Sequence, residues 1–359
     1  MGSAESSAYH PMHQDDQKMI HVGFSPYTYA RVAVMKSFLF KKEDYDRVLK
    51  MGPNELLRFL QDSHYKQEID EYHVGAHGVK MIDQALQANL MRNFRKLYQI
   101  SDAGMQKVLA NYFWKYDVQN IKTIIRGKYA HLPSSEIEPL LFDSVNFSKE
   151  FLQELLKKNT MEEVVKSLSF LKKKAFHHDQ LFEVENALDQ HSIQTMLQFA
   201  ARLRGQGKVV KSFLQQEADL ANIRTLLRMK SSGIADSRSG SSEKGLLEKY
   251  LVHPSSLVKK LAAKKTVEEI VRELRKHKYT LLAGDEKDLL ERLEIDIDVA
   301  LLRKSSLLVH QHVLSANYIL GYLFAKEIEV KNLLTLIKGK KLEIRPEYLE
   351  QLLIIGGSS

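Results

Sequence analysis

The sequence predicts an all-α protein made of three tandem homologous helical repeats, and three observations support this fold class. Long segments carry apolar residues at helical spacing with few Gly or Pro residues, and no strand alternation stands out. A short polar-apolar signature occurs three times, with its Asn residues 102 and 110 residues apart. A second motif, a short helix followed by a break and another helix, recurs at offsets of 108 and 106 residues. Two independent motifs at similar spacing indicate a domain-sized unit used three times.

Each copy of the signature has an acid three residues before an Asn, a basic residue six after it and a Lys eight after it. The copies comprise, in order, Asp117, Asn120, Arg126 and Lys128; Asp219, Asn222, Arg228 and Lys230; and Glu329, Asn332, Lys338 and Lys340. On a helix, the acid and the Asn lie inside the apolar stripe, which in the first copy includes Ile121, Ile124 and Ile125. Both need partners, because an unpaired polar group on a buried face costs about 1–3 kcal/mol.

We expect these partners to be backbone groups or basic side chains of neighbouring helices in the same repeat. The basic residues come last in each signature, where their charge is expected to face the negative end of the helix dipole. Gly127 and Gly339 are expected to stop the first and third helices. An alternative hypothesis makes Asp117, Asp219 and Glu329 catalytic acids. Three equivalent copies, one per repeat, favour a packing role over a catalytic one.

The other motifs of the repeat are predicted helices that precede the signature. Short helices are expected at three equivalent places, residues 44–51, 148–158 and 255–264. Thr160 and Thr266 each precede a Glu by three residues, a capping box that predicts a helix start at both positions. Long helices, in which a Leu lies 34 residues before the signature Asn, are predicted at residues 82–98 and 185–199. Residues 289–308 offer a looser third match.

These spacings also place the boundaries of the repeats. We predict a flexible N-terminal tail followed by three helical repeats, at residues 1–25, 26–140, 141–250 and 251–359. The first repeat opens with a helix at residues 27–42. The irregular stretch at residues 231–245 is rich in Ser and Gly and predicts a mobile loop. Residues 205–208 are expected to form a turn between two long helices.

The composition is that of an ordinary soluble globular chain with an excess of basic residues. The 359 residues carry a formal net charge of +8. Such a charge favours an acidic partner, a nucleic acid or an anionic membrane surface, and it says nothing about fold. The absence of cysteine excludes disulfides, thiolate metal sites and cysteine catalysis. The first 25 residues lack the apolar core of a signal peptide, and no stretch is apolar enough for a membrane span.

The sequence contains none of the common catalytic or ligand-binding motifs. Phosphate-binding loops, the dinucleotide fingerprint, the H-E-x-x-H zinc motif and the G-x-S-x-G nucleophile elbow are all absent. The histidine pairs, His177 with His178 and His310 with His312, are better explained as exposed or hydrogen-bonded side chains than as metal ligands. We therefore expect no catalytic residue, no cofactor and no metal ion.

Several of these motifs together resemble one protein family. They are the Tyr-Ala-Arg-Val run at residues 29–32, the Asp-x-x-Asn-Ile-[KR]-x-[IL]-[IL]-Arg-x-Lys helices, the Ala-Leu-Asp helix and the closing segment from Lys326 to Asn332. The family is the C subunit of archaeal-type and bacterial V-type rotary ATPases, which is similar to the d subunit of the vacuolar proton pump. The resemblance covers residues 27–355. The third copy departs from the second, because Leu333 and Leu334 replace Ile-Arg and Lys338 replaces Arg.

The resemblance implies an all-helical funnel with pseudo-three-fold symmetry, without catalytic activity or a nucleotide site. It implies that the wide mouth receives the tip of the central stalk and that the base rests on the cytoplasmic end of the membrane rotor ring of proteolipid subunits. The subunit would be peripheral to the membrane, present once per complex, monomeric when isolated and without a nucleic-acid partner. It would turn with the rotor and couple ATP hydrolysis or synthesis to the flow of protons or sodium ions. The alternative from the residues alone is a basic helical-repeat protein that binds nucleic acid.

Overall fold

The computed structural model describes residues 19–23, 25–73, 78–142, 144, 146–171, 181–205, 207–231, 250–276 and 316–355. In chain order the elements are β1 (Ile20–Val22), α1 (Pro26–Ser37), α2 (Lys42–Lys50), α3 (Pro53–Gln61), α4 (Lys66–His73), α5 (Val79–Ile100), α6 (Ala103–Tyr129), α7 (Ser134–Ile137), a 3₁₀ turn (Glu138–Leu140), α8 (Lys149–Leu156), α9 (Met161–Ser167), a second 3₁₀ turn (Ser169–Leu171), α10 (Leu181–Arg202), β2 (Leu203–Gly205), α11 (Gly207–Ser231), α12 (Ser256–Ala262), α13 (Val267–Lys276), α14 (Ala316–Lys341) and α15 (Pro346–Leu352). The described residues are predominantly helical, which confirms the predicted all-α class.

The chain forms two compact units. We call the unit with residues 1–22 and 107–290 the middle unit, and the unit with residues 23–106 and 291–359 the terminal unit. In the middle unit, α10 packs along α11, and α11 contacts α12 and α13. In the terminal unit, α14 packs against α1, α3 and α5, and α15 contacts α2. The terminal unit is therefore assembled from two segments that are far apart in the sequence.

Most of the predicted helices are present, with shifted ends. The helix predicted at residues 27–42 is α1, which ends at Ser37, and the two long helices predicted before the signatures are α5 and α10. The short helices are α2, α8 and α12. The predicted helix at residues 289–308 and nearly all of the loop at residues 231–245 lie outside the described residues. The triplication and the repeat boundaries remain predictions.

The predicted helix starts at Thr160 and Thr266 are confirmed. The Thr160 hydroxyl accepts a hydrogen bond from the Glu163 backbone N–H at 3.3 Å, and Thr266 accepts the same bond from Glu269 at 3.3 Å. The Glu163 carboxylate accepts from the backbone N–H of Asn159 at 2.9 Å, one residue before the cap. Each helix thereby satisfies part of the donor set that its first turn leaves without intrahelical partners.

Two short parallel strands were not expected from the sequence. Ile20 of β1 pairs with Leu203 of β2, and Val22 pairs with Gly205. The side chains of Ile20 and Val22 are buried, so the end of the segment predicted as a tail packs into the middle unit. Gly205 has φ +63°, and a Cβ there would lie 2.9 Å from the His21 ring. Three-residue strands are too short to produce an alternation signal in the sequence.

The prediction that Gly127 and Gly339 stop their helices is wrong. Both glycines lie inside helices, α6 and α14, which continue for two more residues. A Cβ on Gly127 would overlap the Ile137 side chain, and one on Gly339 would overlap Leu349. Glycine is therefore required at both positions so that a following short helix, α7 or α15, can pack closely against the signature helix.

The first and third signature helices stop instead at non-glycine residues in the left-handed conformation. His131 has φ +56° and Glu343 has φ +55°. The next backbone N–H in each case reaches back to a glycine carbonyl, from Leu132 to Gly127 at 2.8 Å and from Ile344 to Gly339 at 2.9 Å. This is a Schellman-type C-terminal cap, whose left-handed position is usually glycine.

The Glu343→Gly substitution is expected to raise the free energy of unfolding by about 1 kcal/mol. Glu343 is exposed, and the left-handed conformation costs a side-chain-bearing residue about that amount. Urea denaturation measures the change. Glu347→Gly, in the first turn of α15, is the matched control and should destabilise the protein through lost helix propensity. Equal effects of the two substitutions would contradict this account.

Candidate functional site

Each signature occupies the second half of a long helix and buries its apolar stripe. The first copy lies on α6, the second on α11 and the third on α14. The stripe residues are all 4% exposed or less, namely Ile121, Ile124, Ile125, Ile223, Leu226, Leu227, Leu333, Leu336 and Ile337. The three Asn side chains lie in the same stripes and are at most 1% exposed. The signature Asn side chains are therefore shielded from water.

Each signature Asn forms a pair of hydrogen bonds with one backbone residue further along the chain. Asn120 donates to the Phe142 carbonyl at 3.0 Å and accepts from the Phe142 N–H at 2.7 Å. Asn222 makes the same two bonds with Val252, at 2.9 Å and 3.0 Å. A carboxamide offers a donor and an acceptor in one plane, so it can complete both backbone groups of a single residue.

The third Asn repeats this arrangement. Asn332 donates to the Ile354 carbonyl at 2.9 Å and accepts from its N–H at 2.8 Å. The partner lies 22 residues after the Asn in the first and third copies and 30 residues after it in the second. The longer stretch in the second copy contains the Ser- and Gly-rich segment of residues 231–245, for which the sequence predicts a mobile loop.

The acids of the first two copies hold the chain where it enters a short helix. The Asp117 carboxylate accepts hydrogen bonds from the Ser144 hydroxyl and, at 2.6 Å, from the Asn146 side-chain amide. Both donors precede α8. Asp219 accepts from the backbone N–H of Ser255 at 3.4 Å, and Ser255 is the N-cap of α12. These partners lie in the segment that follows the signature helix, beyond the predicted end of the repeat that contains the acid. With the predicted boundaries, the acids therefore bind residues of the next repeat and not of their own.

The acid of the third copy holds the first short helix of the chain. The Glu329 carboxylate accepts from the Phe40 backbone N–H at 2.5 Å, directly before α2. It also accepts from the Tyr65 hydroxyl at 2.6 Å and from the Lys326 ammonium at 2.8 Å. Lys326 lies one helical turn before Glu329, a spacing that was visible in the sequence. Tyr65 lies 264 residues away, and nothing in the sequence indicates it.

The last Lys of the signature caps the other end of the same short helix. Lys128 donates to the Leu156 carbonyl at 2.7 Å, at the end of α8. Lys340 donates to the carbonyls of Leu49 and Met51 at 2.8 Å and 2.6 Å, at the end of α2. Both lysines lie in the last turn of their own helix, as predicted, but their ammonium groups bind carbonyls at the end of another helix. Their charge neutralises the C-terminal carbonyls of a neighbouring helix instead.

The basic residue six positions after the Asn forms an ion pair with a long helix. Arg126 binds Glu185 of α10 through two bonds of 2.5 Å and 3.0 Å. Lys338 lies 3.1 Å from the carboxylate of Asp83 on α5. In the second copy, Arg228 is exposed and Lys230 is half-buried in the last turn of α11.

Together these contacts make the first and third signature helices a clamp on a short helix beside them, and in the second copy the acid holds the start of α12. Acid and Lys are 11 residues apart, which is about 16 Å along an α-helix. In the first copy, these residues hold the segment from Asn146 to Leu156 at both of its ends. The signature helix therefore runs alongside α8. We use the term clamp for this set of contacts.

Burial changes the protonation behaviour of several clamp residues. Burial raises the pKa of Asp117 to about 7, although the donors Ser144 and Asn146 offset part of that rise. Burial and the neighbouring Glu329 carboxylate raise the pKa of Tyr65 well above its usual value, so its hydroxyl remains a donor. Desolvation lowers the pKa of Lys128. These shifts are those of groups enclosed in a packed interior.

The buried Asp117 predicts a specific pH dependence of stability. Its pKa in the folded protein, about 7, lies above the ordinary value of 3.8, so the folded state binds the proton more tightly than the unfolded state. Stability should therefore fall as pH rises from about 4 to about 7, by up to ~1.4 kcal/mol per pH unit from this group. The Asp117→Asn variant lacks this titrating group. Its free energy of unfolding should therefore increase relative to that of the wild-type protein as pH rises from about 4 to about 7.

Urea denaturation between pH 4.5 and 8 tests that prediction. Asp62→Asn, at an exposed position, is the matched control and should give a profile parallel to that of the wild-type protein. Parallel profiles for Asp117→Asn and wild type would show that Asp117 is ionised in the folded protein throughout the range.

The contacts of the three acids favour packing over catalysis. Asp117, Asp219 and Glu329 each have their own partners, and none of the partners described above is shared between two acids. Among the described residues, no group of three or more acidic or histidine side chains is placed to hold a metal ion. Within the same ranges, no helix has the length and apolar character needed to cross a membrane.

The fold and the clamps define an all-helical protein whose repeated polar groups hold its own helices together. Comparison with known proteins then gives the family. The chain belongs to the ATP synthase (C/AC39) subunit family, whose model matches residues 28–352. This confirms the resemblance noted from the sequence.

Curated relatives that are C subunits of A-type ATP synthases match over nearly their whole length. The protein from Methanococcoides burtonii is 30% identical, with 92% of this chain and 94% of the relative covered. The one from Methanosarcina acetivorans is 30% identical, with 96% and 97% covered. The one from Haloferax volcanii is also 30% identical, with 92% and 97% covered.

Proposed function

We propose that this chain is a non-catalytic rotor subunit of a V/A-type ATPase or ATP synthase. In this role it links the central stalk to the membrane rotor ring and transmits torque for ATP-coupled proton or sodium transport. The observation that carries the proposal is the end-to-end match to the C subunits of A-type ATP synthases. The names of these relatives give no support to the alternative of nucleic-acid binding.

The clamps suit a part that passes torque between two partners. A transmitting element must resist bending, and paired polar groups in a region of low dielectric fix the positions of the helices that carry them. The three Asn side chains and the acids Asp117 and Glu329 supply such pairs in both compact units. The net charge of +8 is compatible with a place near an acidic stalk tip or anionic lipid head groups.

The proposal also covers the assembly and its location. The chain would lie on the cytoplasmic face of the membrane, peripheral and in one copy per complex, and it would be monomeric when isolated. The three predicted repeats would surround a tapering cavity with pseudo-three-fold symmetry. A small-angle scattering envelope of the isolated chain should show three similar lobes.

Reconstitution tests the proposed function. The full chain should bind both the purified central-stalk subunits and the detergent-solubilised rotor ring. A complex assembled without the chain should hydrolyse ATP and fail to pump ions, and adding the chain should restore pumping. Absence of binding to either partner, or pumping that does not depend on the chain, would overturn the proposal. A salt-dependent shift of RNA or DNA would revive the nucleic-acid alternative.

A further inference from the structure

The terminal unit contains a cavity of about 200 Å³ between α1, α5 and α14. Its walls combine apolar side chains, among them Met35 and Leu39, with basic ones. The cationic side chains are Arg92, Lys96 and Lys326. His64 also lines the space. Of the lining residues, Lys326 takes part in the clamp contacts described above, and the other polar lining residues do not, so they need a separate explanation.

Three cationic residues line the cavity, whereas the acids paired with two of them do not. Arg92 is paired with Glu68 at 2.5 Å, and Lys326 is paired with Glu329 at 2.8 Å. Both carboxylates are almost fully buried, and neither Glu68 nor Glu329 is among the residues that line the cavity. Among the described residues, Lys96 makes no ion pair. The lining therefore contains three cationic residues and no acidic one.

Two of the cationic residues, Lys96 and Lys326, have N–H groups for which the described residues supply no acceptor. The Lys326 ammonium has three N–H groups, and among the described residues two of them bind the Tyr65 hydroxyl and Glu329. Lys96 is exposed, and all three N–H groups of its ammonium are without an acceptor among the described residues. The pKa of His64 is lowered by burial and by the nearby charge of Lys326, with a smaller contribution of the same sign from Arg92 and an opposing one from Glu329. The lowered pKa therefore reflects burial of the imidazole first and the positive charge of Lys326 second.

We propose that this cavity binds a small organic anion, with the anionic group held by Lys96 and Lys326, beside the Arg92 guanidinium that already binds Glu68 and the His64 carbonyl, and with an apolar body against Met35 and Leu39. A dry cavity of roughly 150 Å³ holds a benzene-sized molecule, so this one accommodates roughly eight to ten non-hydrogen atoms. A carboxylate is the class of head group that lysine and arginine donors recognise at this size. The bound anion would bridge α5 to α14, which come from opposite ends of the chain, and would stabilise the terminal unit.

Calorimetric titration of the full chain with benzoate tests the inference, with benzamide as the neutral isostere and inorganic phosphate as the anion without an apolar body. Benzoate should bind with a Kd on the order of millimolar and raise the melting temperature. Benzamide and phosphate should bind at least tenfold more weakly. The imidazole signals of His64, followed by NMR against pH, should titrate at higher pH when benzoate is bound, because the anion offsets the positive surroundings.

A pair of lysine variants on α5 separates a specific site from general charge attraction. Lys96→Gln should weaken benzoate binding at least fivefold, whereas Lys80→Gln, at an exposed position of the same helix that does not line the cavity, should leave it unchanged. Both variants should have wild-type helicity. Equal binding of benzamide, binding of phosphate alone, equal effects of the two variants, or no shift in the titration of His64 would each overturn the inference.

Discussion

Replacing Lys326 by Met is expected to lower the free energy of unfolding by about 3–5 kcal/mol. Lys326 is 4% exposed, and its ammonium binds Glu329 and lies 4.1 Å from the centre of the Tyr65 ring. Met has a similar length and no charge, so the variant leaves the Glu329 carboxylate buried without its counter-charge. Removing one partner of a buried ion pair has a cost of this size, because the remaining charge stays desolvated.

Urea denaturation, combined with hydrogen exchange of peptides from α5 and α14, measures the loss and locates it. Lys341→Met, at an exposed position of α14, is the matched control and should change stability by less than about 0.5 kcal/mol. The double variant Lys326→Met with Glu329→Gln should recover a large part of the loss, since the buried carboxylate is then replaced by a neutral amide. A single variant within about 1 kcal/mol of wild type would contradict the account of the pair.

Replacing Asn120 by Leu is expected to cost about 2–5 kcal/mol. The Asn120 side chain is fully buried and completes both backbone groups of Phe142. Leu fills a similar volume, and it leaves a donor and an acceptor without partners, each of which costs about 1–3 kcal/mol. The effect should exceed the loss of two ordinary hydrogen bonds, because the buried Leu side chain would face the N–H and carbonyl of Phe142 without bonding to either.

The backbone amide of Phe142 gives a local readout for the same variant. Its hydrogen exchange should accelerate by at least a hundredfold in Asn120→Leu, well beyond the average for α6. Asn54→Ala, at an exposed position of α3, is the control and should leave stability within about 0.5 kcal/mol of wild type. Unchanged protection of Phe142 would show that another group had taken over its hydrogen bonds.

Features that depend on residues close together in the chain could be predicted from the sequence. The caps at Thr160 and Thr266 and the buried stripe on α6 follow from spacings of three to eight residues, and the structure has them. The same spacings showed that Asn120 had to find partners. They did not show which partners, because Phe142 lies on a segment that returns after a turn of unpredictable length.

Other features could not be predicted, because the groups that decide them are remote in the chain. Gly127 has the sequence context of a helix stop, and only its contact with Ile137 shows that it allows close packing inside a helix. Lys340 was expected to serve its own helix, and its true acceptors, Leu49 and Met51, lie about 290 residues earlier. Such pairings are decided when the helices pack, after the local preferences have been satisfied.

The discontinuity of the terminal unit has a consequence for the order of events during synthesis. Helices α1, α3 and α5 are complete by Ile100, and α14, against which they pack, begins at Ala316. Roughly 200 residues separate the two, which a ribosome adds in about 10–40 s at 5–20 residues per second. Throughout that interval the nascent N-terminal helices carry uncovered apolar faces. Early arrest of translation would therefore yield a product prone to aggregation and dependent on chaperones, whatever the intrinsic helix propensity of its sequence.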